Sequence, residues 1–319
     1  MLEGGTIRRR RGRVTAVVAA LFALGAAAAA WLVLSGAASD RNATLDRAAE
    51  AADEDEPQVV GPADVGLSEP DAFSLRFKQP PRAGLVFDLE NGRVLWRHKP
   101  EQRVAMASLT KVMTALLVVE RTDSDERVRI TDDALDYRGQ GVGVLKRGKK
   151  VPVESLLNGM LIMSGNDFAI ALADHVAGSR GDFVRLMNRR ARELDFDCTR
   201  FASPEGLEPG NRSCAADLAG LARVAMSKVR IARVVARRDA KVRVPGQRRR
   251  AELFTTNPLL RSGYPGTIGL KTGYTDEAGQ CLVAVVRRGG HTLGVVLLDS
   301  PNPADQAVKL LERAFRRAG

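Results

Sequence analysis

The chain has 319 residues, of which 45% are hydrophobic and 27% are charged, and its formal net charge is +11. This composition is ordinary for a globular protein, and it excludes a fully disordered chain, a collagen-like chain and a polytopic membrane protein. The three cysteines are too few for a fold built on disulfides, and the three histidines lack the spacing of zinc ligands. We therefore expect no metal and no other cofactor, so any chemistry must come from other side chains.

The N-terminus predicts a membrane anchor or an export signal. Residues 1–13 contain five arginines and one glutamate, and such a basic tail is expected to stay in the cytoplasm. The run from 14 to 34 has no charged residue and is long enough to cross a bilayer as a helix. We assign residues 14–36 as a transmembrane anchor, with a cleaved signal segment as the alternative, because small residues at 35–38 fit a cleavage site. The rest of the chain is then expected on the extracytoplasmic side of the cell membrane, or secreted if the segment is cleaved.

Residues 37–70 predict a flexible linker, and residues 71–319 predict one folded domain. The linker is acidic in its first half and has three prolines in its second half, a composition that favours an extended chain. Export permits disulfides, and Cys198 and Cys214 flank a short loop, so they are either bridged or free. Cys281 opens an apolar strand, where we expect a buried thiol.

Strands are predicted at both ends of the domain. Residues 83–89 and 94–98 flank an Asn-Gly turn, which is a strong hairpin signal. Residues 281–287 and 292–298 flank a Gly-Gly pair and predict a second hairpin. Helices are predicted where apolar residues recur at helical spacing: 109–117, 156–163, 168–176, 183–194 behind Asp182 as N-cap, and 304–317. The predicted fold is α+β, with one antiparallel sheet flanked by helices and with an inserted helical lobe.

Three short motifs in the domain can carry chemistry. Ser108 and Lys111 stand one helical turn apart in a Ser-x-x-Lys motif, which lets the amine take the proton of the hydroxyl. Ser164 and Asn166, in Ser-Gly-Asn, fall where an apolar helix gives way to a turn. Residues 271–273, Lys-Thr-Gly, lie in a strand-like segment, where the glycine allows a ligand to approach the backbone closely. Each motif alone is more typical of an ordinary helix face, turn or strand than of a functional site.

Together and in this order, the motifs match the Ser-x-x-Lys, Ser-x-Asn and Lys-Thr-Gly set of penicillin-binding proteins and class A β-lactamases. The sequence resembles low-molecular-mass penicillin-binding proteins of the serine-type D-alanyl-D-alanine carboxypeptidase family. The resemblance covers about residues 80–300 and is carried by the segments 107–114, 163–167, 183–188, 204–207, 256–260 and 269–279. It implies a fold like that of β-lactamases and penicillin-binding transpeptidases.

The resemblance also implies a substrate and a role for each residue. The substrate would be a peptidoglycan stem peptide ending in D-Ala-D-Ala, and β-lactams would be covalent inhibitors. Ser108 would be the nucleophile, Lys111 its proton acceptor, and Ser164 the group that passes a proton to the leaving amine. The substrate-binding residues would be Asn166 for the amide, Lys271 and Thr272 for the terminal carboxylate, Gly273, and Tyr274, whose backbone N–H would bind the oxyanion together with that of Ser108.

Two related activities stay open from the sequence. A peptidoglycan DD-endopeptidase, which cuts peptide crosslinks, shares all three motifs. A β-lactamase-like hydrolase needs a carboxylate that activates the deacylating water, commonly in a Glu-x-x-Leu-Asn loop beyond the Ser-x-Asn motif. No such pentapeptide follows Asn166, where Glu205 and Glu208 are the nearest candidates. Phe168 stands where the family often has a small residue, and we expect it to narrow the cleft. The glycine-rich segment 139–143 predicts a loop that lines the cleft.

A basic stretch, residues 223–250 (Arg223 to Arg250), contains eleven Lys or Arg and one acidic residue. It predicts an electropositive patch for anionic lipid or a wall polymer, or else a solvated face of ordinary loops and helices. A wall or membrane adhesion module without catalysis is the alternative outside the enzymes, although the three intact motifs argue against it. Nucleic acid is not expected as a partner, because an exported domain does not meet it.

Overall fold

The structure is a computed structural model, and it describes residues 63–318. The centre of the domain is a five-stranded antiparallel sheet. Its strands are β1 (Ala83–Asp88), β2 (Val94–His98), β3 (Thr267–Thr275), β4 (Gly279–Arg288) and β5 (His291–Leu298), in the spatial order β2-β1-β5-β4-β3.

Both predicted hairpins are confirmed. The β1–β2 hairpin turns at Gly92, the β4–β5 hairpin turns at Gly289 and Gly290, and all three glycines have a positive φ, which residues with a Cβ rarely adopt. β1 also pairs with β5, with Ala83 opposite Leu298. The first and last strands of the domain therefore join the two hairpins into one sheet.

The five predicted helices are present and the α+β prediction is confirmed, whereas the helices at 215–227, 229–235 and 258–262 were not predicted. A 3-10 turn (Ala107–Thr110) leads into the first helix. The helices are α1 (Lys111–Arg121), α2 (Val153–Ile162), α3 (Asn166–Ala177), α4 (Arg180–Glu193), α5 (Ala215–Ser227), α6 (Val229–Val235), α7 (Pro258–Ser262) and α8 (Pro303–Ala318). Short strands pair two by two: Val104–Ala105 with Arg212–Ser213, Arg127–Arg129 with Lys150–Pro152, and Asp239–Val242 with Ala251–Phe254.

The prediction that Asp182 caps α4 is wrong. The helix begins at Arg180, and its N-cap is Ser179, whose Oγ accepts a hydrogen bond from Asp182 N at 3.1 Å. Ser179 Oγ in turn donates to Asp182 Oδ2 at 2.5 Å. Both residues favour helix starts, and here the aspartate takes the reciprocal position inside the first turn.

The sheet has an apolar core on each face. The lobe, formed mainly by α1 to α6, covers one face and builds the larger core. α8 covers the other face, where Leu310, Leu311 and Ala314 join one buried cluster with Val86 of β1 and Leu282 of β4. The functional motifs lie on the lobe face.

The last residues of the predicted linker are bound to the domain. Gly66 N donates to Gly92 O at 3.0 Å. The guanidinium groups of Arg97 and Arg223 donate to backbone carbonyls between residues 64 and 69, which we call the N-terminal strap. The predicted domain boundary at residue 71 is therefore too late. Composition does not reveal the strap, because the arginines that bind it are distant in sequence.

Three N-terminal assignments lie outside the described residues: the basic tail (1–13), the anchor or signal segment (14–36) and the linker up to residue 62. Between residues 63 and 318, no helix combines the length and the apolar character that a membrane span requires. The three assignments therefore stay predictions.

The cysteines divide into one bridge and one thiol. Cys198 and Cys214 form a disulfide, which is one of the two alternatives left open by the sequence. Cys281 is a buried free thiol, as predicted. The disulfide closes a loop that contains the turn at residues 203–206. Asp217 lies beside the bridge and accepts a hydrogen bond from Cys198 N at 2.9 Å.

The basic stretch at residues 223–250 does not form one surface. Arg223 is buried, and Lys228 and Arg230 form salt bridges of 3.2 Å and 2.7 Å with carboxylates of α1 and α2. The part from 243 to 250 keeps four exposed arginines that form no salt bridge with any residue between 63 and 318. The predicted patch is therefore smaller than the charge count indicates, because Arg223 is buried and Lys228 and Arg230 form salt bridges within the domain.

Candidate active site

Ser108 lies in the 3-10 turn just before α1 and is partly exposed, whereas its neighbours on both sides are buried. Ala107, which precedes it, has a φ of 48°, in the left-handed region that L residues rarely occupy. The turn packs against Gly206, where any Cβ would collide with the carbonyl of Ala107. Such backbone strain is typical of functional sites, where surrounding packing holds it in place.

Lys111 is buried and lies one turn beyond Ser108. Its Nζ is 2.9 Å from Ser108 Oγ, 2.7 Å from Asn166 Oδ1 and 2.5 Å from the backbone oxygen of Glu205. Burial lowers the pKa of Lys111 to about 7, and the negative charges of Glu205 and Asp167 partly offset that shift. A large fraction of this amine is therefore neutral at physiological pH and able to accept a proton.

Ser164 and Asn166 occupy the junction between α2 and α3. Ser164 has a φ of 65°, so the backbone turns sharply there. Asn166 Nδ2 donates to Arg138 O at 2.9 Å, and Asn166 N donates to Gln140 O at 3.0 Å. The loop that contains residues 139–143 therefore lies against the site, as predicted.

The next residue, Asp167, ties the same loop to α3. Its carboxylate accepts hydrogen bonds from Val142 N at 3.0 Å and from Gly143 N at 3.1 Å. Burial raises the pKa of Asp167, and these hydrogen bonds partly offset the rise. The carboxylate thus anchors the loop and contributes a negative charge near Lys111.

Lys271 of β3 brings the third motif to the other two. Its side chain is buried, and its Nζ donates to Ser164 Oγ at 2.9 Å and to Thr272 O at 2.8 Å. Burial, with a smaller contribution from the charge of Lys111, holds the pKa of Lys271 well below its ordinary value. Two buried amines therefore share one pocket with two serine hydroxyls.

The residues after Lys271 shape the edge of the pocket. Thr272 Oγ1 lies 2.7 Å from Thr256 Oγ1. A Cβ at Gly273 would lie 3.0 Å from Ser108 N, so the glycine lets β3 run close beside Ser108. Tyr274 has an exposed ring, and its hydroxyl donates to Asp276, so any role of Tyr274 in the pocket falls to its backbone. The three motifs thus meet: Lys111 contacts Ser108 and Asn166. Lys271 contacts Ser164, and Gly273 lies close to Ser108.

The chain is similar to known peptidases. The sequence pattern of the peptidase family described as D-alanyl-D-alanine carboxypeptidase matches residues 79–302. The chain belongs to the D-alanyl-D-alanine carboxypeptidase family. A family member, the carboxypeptidase DacF of Bacillus subtilis, is 33% identical over 243 residues, which are 73% of this chain and 62% of that protein. The chain therefore spans less than two thirds of the length of this relative.

The chain is also similar to two proteins with other printed activities. A D-alanyl-D-alanine endopeptidase of Haemophilus influenzae is 32% identical over 225 residues, which are 69% of this chain and 76% of that protein. The crystal structure of the Streptomyces K15 DD-transpeptidase is 30% identical, has a TM-score of 0.70, and covers 76% of this chain and 100% of its own. The expected fold, that of penicillin-binding transpeptidases, is thus confirmed.

The sequence predicts Glu205 only as a candidate for activating water. In the structure its backbone oxygen accepts a hydrogen bond from Lys111 Nζ, and its buried carboxylate lies close enough to raise the pKa of that lysine. The family resemblance at residues 204–207 was the available signal. Thr256 was likewise only part of a matching segment, and the structure places it against Thr272.

The expectation that Phe168 narrows the cleft is wrong. Its ring is fully buried in the lobe and fills the space beside Gly159 of α2, where any Cβ would collide with it. The large residue on α3 is thus matched by a missing side chain on α2. Phe168 therefore packs between two helices of the lobe.

Proposed function

We propose that the chain is a serine-type D-Ala-D-Ala carboxypeptidase that removes the terminal D-alanine of peptidoglycan stem peptides. The observation that carries this proposal is the buried amine of Lys111, 2.9 Å from Ser108 Oγ and with its pKa lowered to about 7. Family membership supports the choice of substrate.

The acylation step starts from neutral Lys111. Its Nζ takes the proton of Ser108 while Oγ attacks the carbonyl carbon of the penultimate D-alanine. The developing oxyanion is bound by the backbone N–H groups of Ser108 and Tyr274, and loss of one such donor typically costs roughly 10²–10³ in rate. The tetrahedral intermediate then expels D-alanine, and the proton on Lys111 passes through the Ser164 hydroxyl to the leaving amine, which restores neutral Lys111. In the second half-reaction Lys111 accepts a proton from the water that attacks the ester, and it returns that proton to Ser108 Oγ when the ester bond breaks.

Lys271 is proposed to bind the carboxylate of the substrate. A bound carboxylate favours the charged form of an amine whose pKa is lowered by burial, so binding of the anion and protonation of Lys271 reinforce each other. The Thr272 hydroxyl adds a donor beside it. Asn166 Nδ2 uses one N–H on Arg138 O and keeps its second N–H for a substrate carbonyl.

The same chemistry predicts acylation by β-lactams, whose ring carbonyl takes the place of the peptide carbonyl. The chain has no Glu-x-x-Leu-Asn segment beyond Asn166, and the one at 154–158 lies within α2, so we expect the penicilloyl ester on Ser108 to be released slowly. Rapid turnover of a chromogenic β-lactam would instead favour the β-lactamase-like alternative.

The deciding experiment is mass spectrometry of the purified protein with a peptide ending in D-Ala-D-Ala and, separately, with benzylpenicillin. We expect loss of one alanine from the peptide and one penicilloyl adduct on Ser108. The Ser108→Ala variant serves as the control and should show neither. An adduct on another residue, or an intact peptide, would refute the proposal.

An endopeptidase is the second candidate, favoured by the similarity to the Haemophilus influenzae endopeptidase. Both reactions form the same acyl-enzyme and differ only in the leaving group, which is free D-alanine in one case and the amine of a crosslinked peptide in the other. Parallel assays with a linear and a crosslinked peptide, at equal concentration, compare kcat/KM for the two substrates.

We also propose that residues 14–36 hold the protein in the cell membrane, with the catalytic domain on the extracytoplasmic side. The uncharged run behind five arginines supports an anchor, and the Cys198–Cys214 disulfide suits an oxidising compartment. N-terminal sequencing of the protein from membrane and soluble fractions distinguishes an anchor from a cleaved signal.

A further inference from the structure

Two segments that are far apart in sequence meet on one exposed surface. They are the loop at 144–150 and the tip of the hairpin formed by residues 239–254. Gln247 Nε2 of the tip donates to the backbone oxygen of Val144 at 2.8 Å. The side chain of Lys146 packs over the glycine of the tip, at 3.1 Å from the position of a Cβ there. The loop and the tip therefore present their charges side by side.

This surface is strongly cationic. Two nearby carboxylates, Asp132 and Glu252, are already paired with Arg147 at 2.7 Å and with Lys241 at 2.8 Å. Eight further exposed cations form no salt bridge within the described part of the chain. They define the basic face: Arg129, Lys146, Lys149, Lys150, Arg243, Arg248, Arg249 and Arg250.

An exposed aromatic side chain lies on the same hairpin. The strand Ala251–Phe254 buries Leu253 and exposes Glu252 and Phe254, and the Phe254 side chain is 61% exposed. Long cationic side chains beside an exposed ring suit the interface of an anionic bilayer, which offers phosphates at the surface and apolar chains beneath. A soluble polyphosphate or wall polymer offers no comparable environment for the ring.

We infer that the basic face docks the domain on a membrane surface that contains anionic phospholipid. The inference rests on the proposed membrane anchor, which would hold the domain close to the bilayer. The chain between residues 37 and 62 reaches at most about 90 Å when extended, whereas a domain of this size has a radius of gyration of roughly 18 Å. Any face of the domain can therefore reach the bilayer. Docking also orients the cleft, because Thr256, which contacts Thr272, follows Phe254 by two residues.

The test is lysine acetylation of the full chain in lipid nanodiscs, read by mass spectrometry. Discs of phosphatidylcholine are compared with discs in which about one third of the lipid is phosphatidylglycerol. We expect Lys146, Lys149 and Lys150 to react at least about fivefold more slowly in the anionic discs, while the exposed Lys99 serves as the internal reference. The protection should disappear in about 0.5 M salt, because these charges are screened.

Two matched variants each remove three positive charges. Arg248→Gln with Arg249→Gln and Arg250→Gln should abolish the protection, since each charge near an anionic surface contributes roughly a fivefold factor. Arg313→Gln with Arg316→Gln and Arg317→Gln, on the α8 side of the sheet, should leave the protection unchanged. Equal labelling in both kinds of disc, or equal loss in both variants, would overturn the inference.

If soluble polyphosphate protects these lysines in zwitterionic discs and anionic discs do not, the membrane inference is overturned and the basic face binds an anionic polymer instead. A chain that fails to enter the discs contradicts the anchor alone, and the same labelling is then carried out with anionic and zwitterionic vesicles added from solution. In that arm, protection by the anionic vesicles supports the docking and its absence overturns it.

Discussion

The two faces of the central sheet differ in what they bury. The face under α8 holds an apolar cluster around Leu310 and Leu311. The lobe face holds the buried charged side chains of the described residues: Lys111, Asp167, Glu205, Arg223 and Lys271. Burying a charge costs free energy unless partners offset it. The site therefore lowers stability on one face, and the apolar packing of the other face offsets that cost. We expect substitutions on the lobe face to change mainly activity and substitutions under α8 to change mainly stability.

The largest expected effect is a pure loss of activity. Ser108→Ala should lower D-alanine release by about 10⁶, as removal of a nucleophile does in a serine protease. The melting temperature should hardly change, because Ser108 is partly exposed and its hydroxyl contacts only Lys111. Release assays and thermal unfolding of the same preparation measure both. Substantial residual release would show that another group is the nucleophile.

Lys111→Arg tests the proton acceptor while keeping a cation in place. A guanidinium cannot give up its proton in a protein, so the rate should fall by about 10²–10⁴. In the unmodified enzyme, kcat/KM should rise as the pH increases through about 7, because Lys111 acts in its neutral form above its pKa. The matched control is Lys309→Arg on α8. A flat pH profile between 6 and 8 contradicts this role for Lys111.

Leu310→Ala probes the apolar face. Removal of this fully buried side chain should lower the free energy of unfolding by about 2–5 kcal/mol. Activity per folded molecule should stay the same, because α8 packs in the apolar cluster on the face of the sheet opposite the lobe. Denaturant unfolding and an active-site titration with labelled penicillin measure the two quantities, and Leu310→Met is the conservative control, expected to cost less than about 1.5 kcal/mol. A matching loss of activity per folded molecule would mean that the faces are coupled.

Gly273→Ala should reduce activity with little effect on stability. The new Cβ would lie 3.0 Å from Ser108 N, so either β3 or the nucleophile turn must shift. Small displacements of reacting groups can cost about a hundredfold in rate, and we expect a loss of about ten- to a hundredfold. Gly66→Ala is the control, since it has open space around the added atom. Full activity of the Gly273→Ala variant would show that the close approach is dispensable.

Glu205→Gln should give the smallest effect, a shift of the pH profile. Loss of this negative charge lowers the pKa of Lys111 further, so the rise of kcat/KM with pH should move to lower pH. At alkaline pH, where Lys111 is neutral in both proteins, the rates should converge. Glu208→Gln, an exposed neighbour, provides the comparison. A shift in the opposite direction would mean that Glu205 does not act on Lys111 through its charge.

Local patterns made most of the fold and the core of the site predictable. The hairpins follow from an Asn-Gly and a Gly-Gly pair with apolar flanks, and Ser108 meets Lys111 because residues three apart share a helix face. The convergence of Ser164 and Lys271 on the same pocket followed only from the family resemblance. Nothing local in either segment indicates the hydrogen bond that joins them.

The missed features all depend on contacts between distant segments. Lys111 binds the backbone oxygen of Glu205, and a backbone oxygen leaves no mark on composition or periodicity. Arg223 was counted as part of a charged surface, but it is buried and binds carbonyls of the N-terminal strap. The space for Phe168 comes from Gly159 on another helix, so volume at one position cannot be judged without its neighbour.

The N-terminal strap has a mechanical consequence. It enters the domain beside β2, whereas Lys271 lies on β3, at the opposite edge of the sheet. Four strand spacings of about 4.8 Å separate these edges, or roughly 19 Å. Tension applied to the polypeptide ahead of Ala63 would therefore load first the hydrogen bonds that Arg223 of α5 and Arg97 of β2 donate to the strap, before it reaches β3.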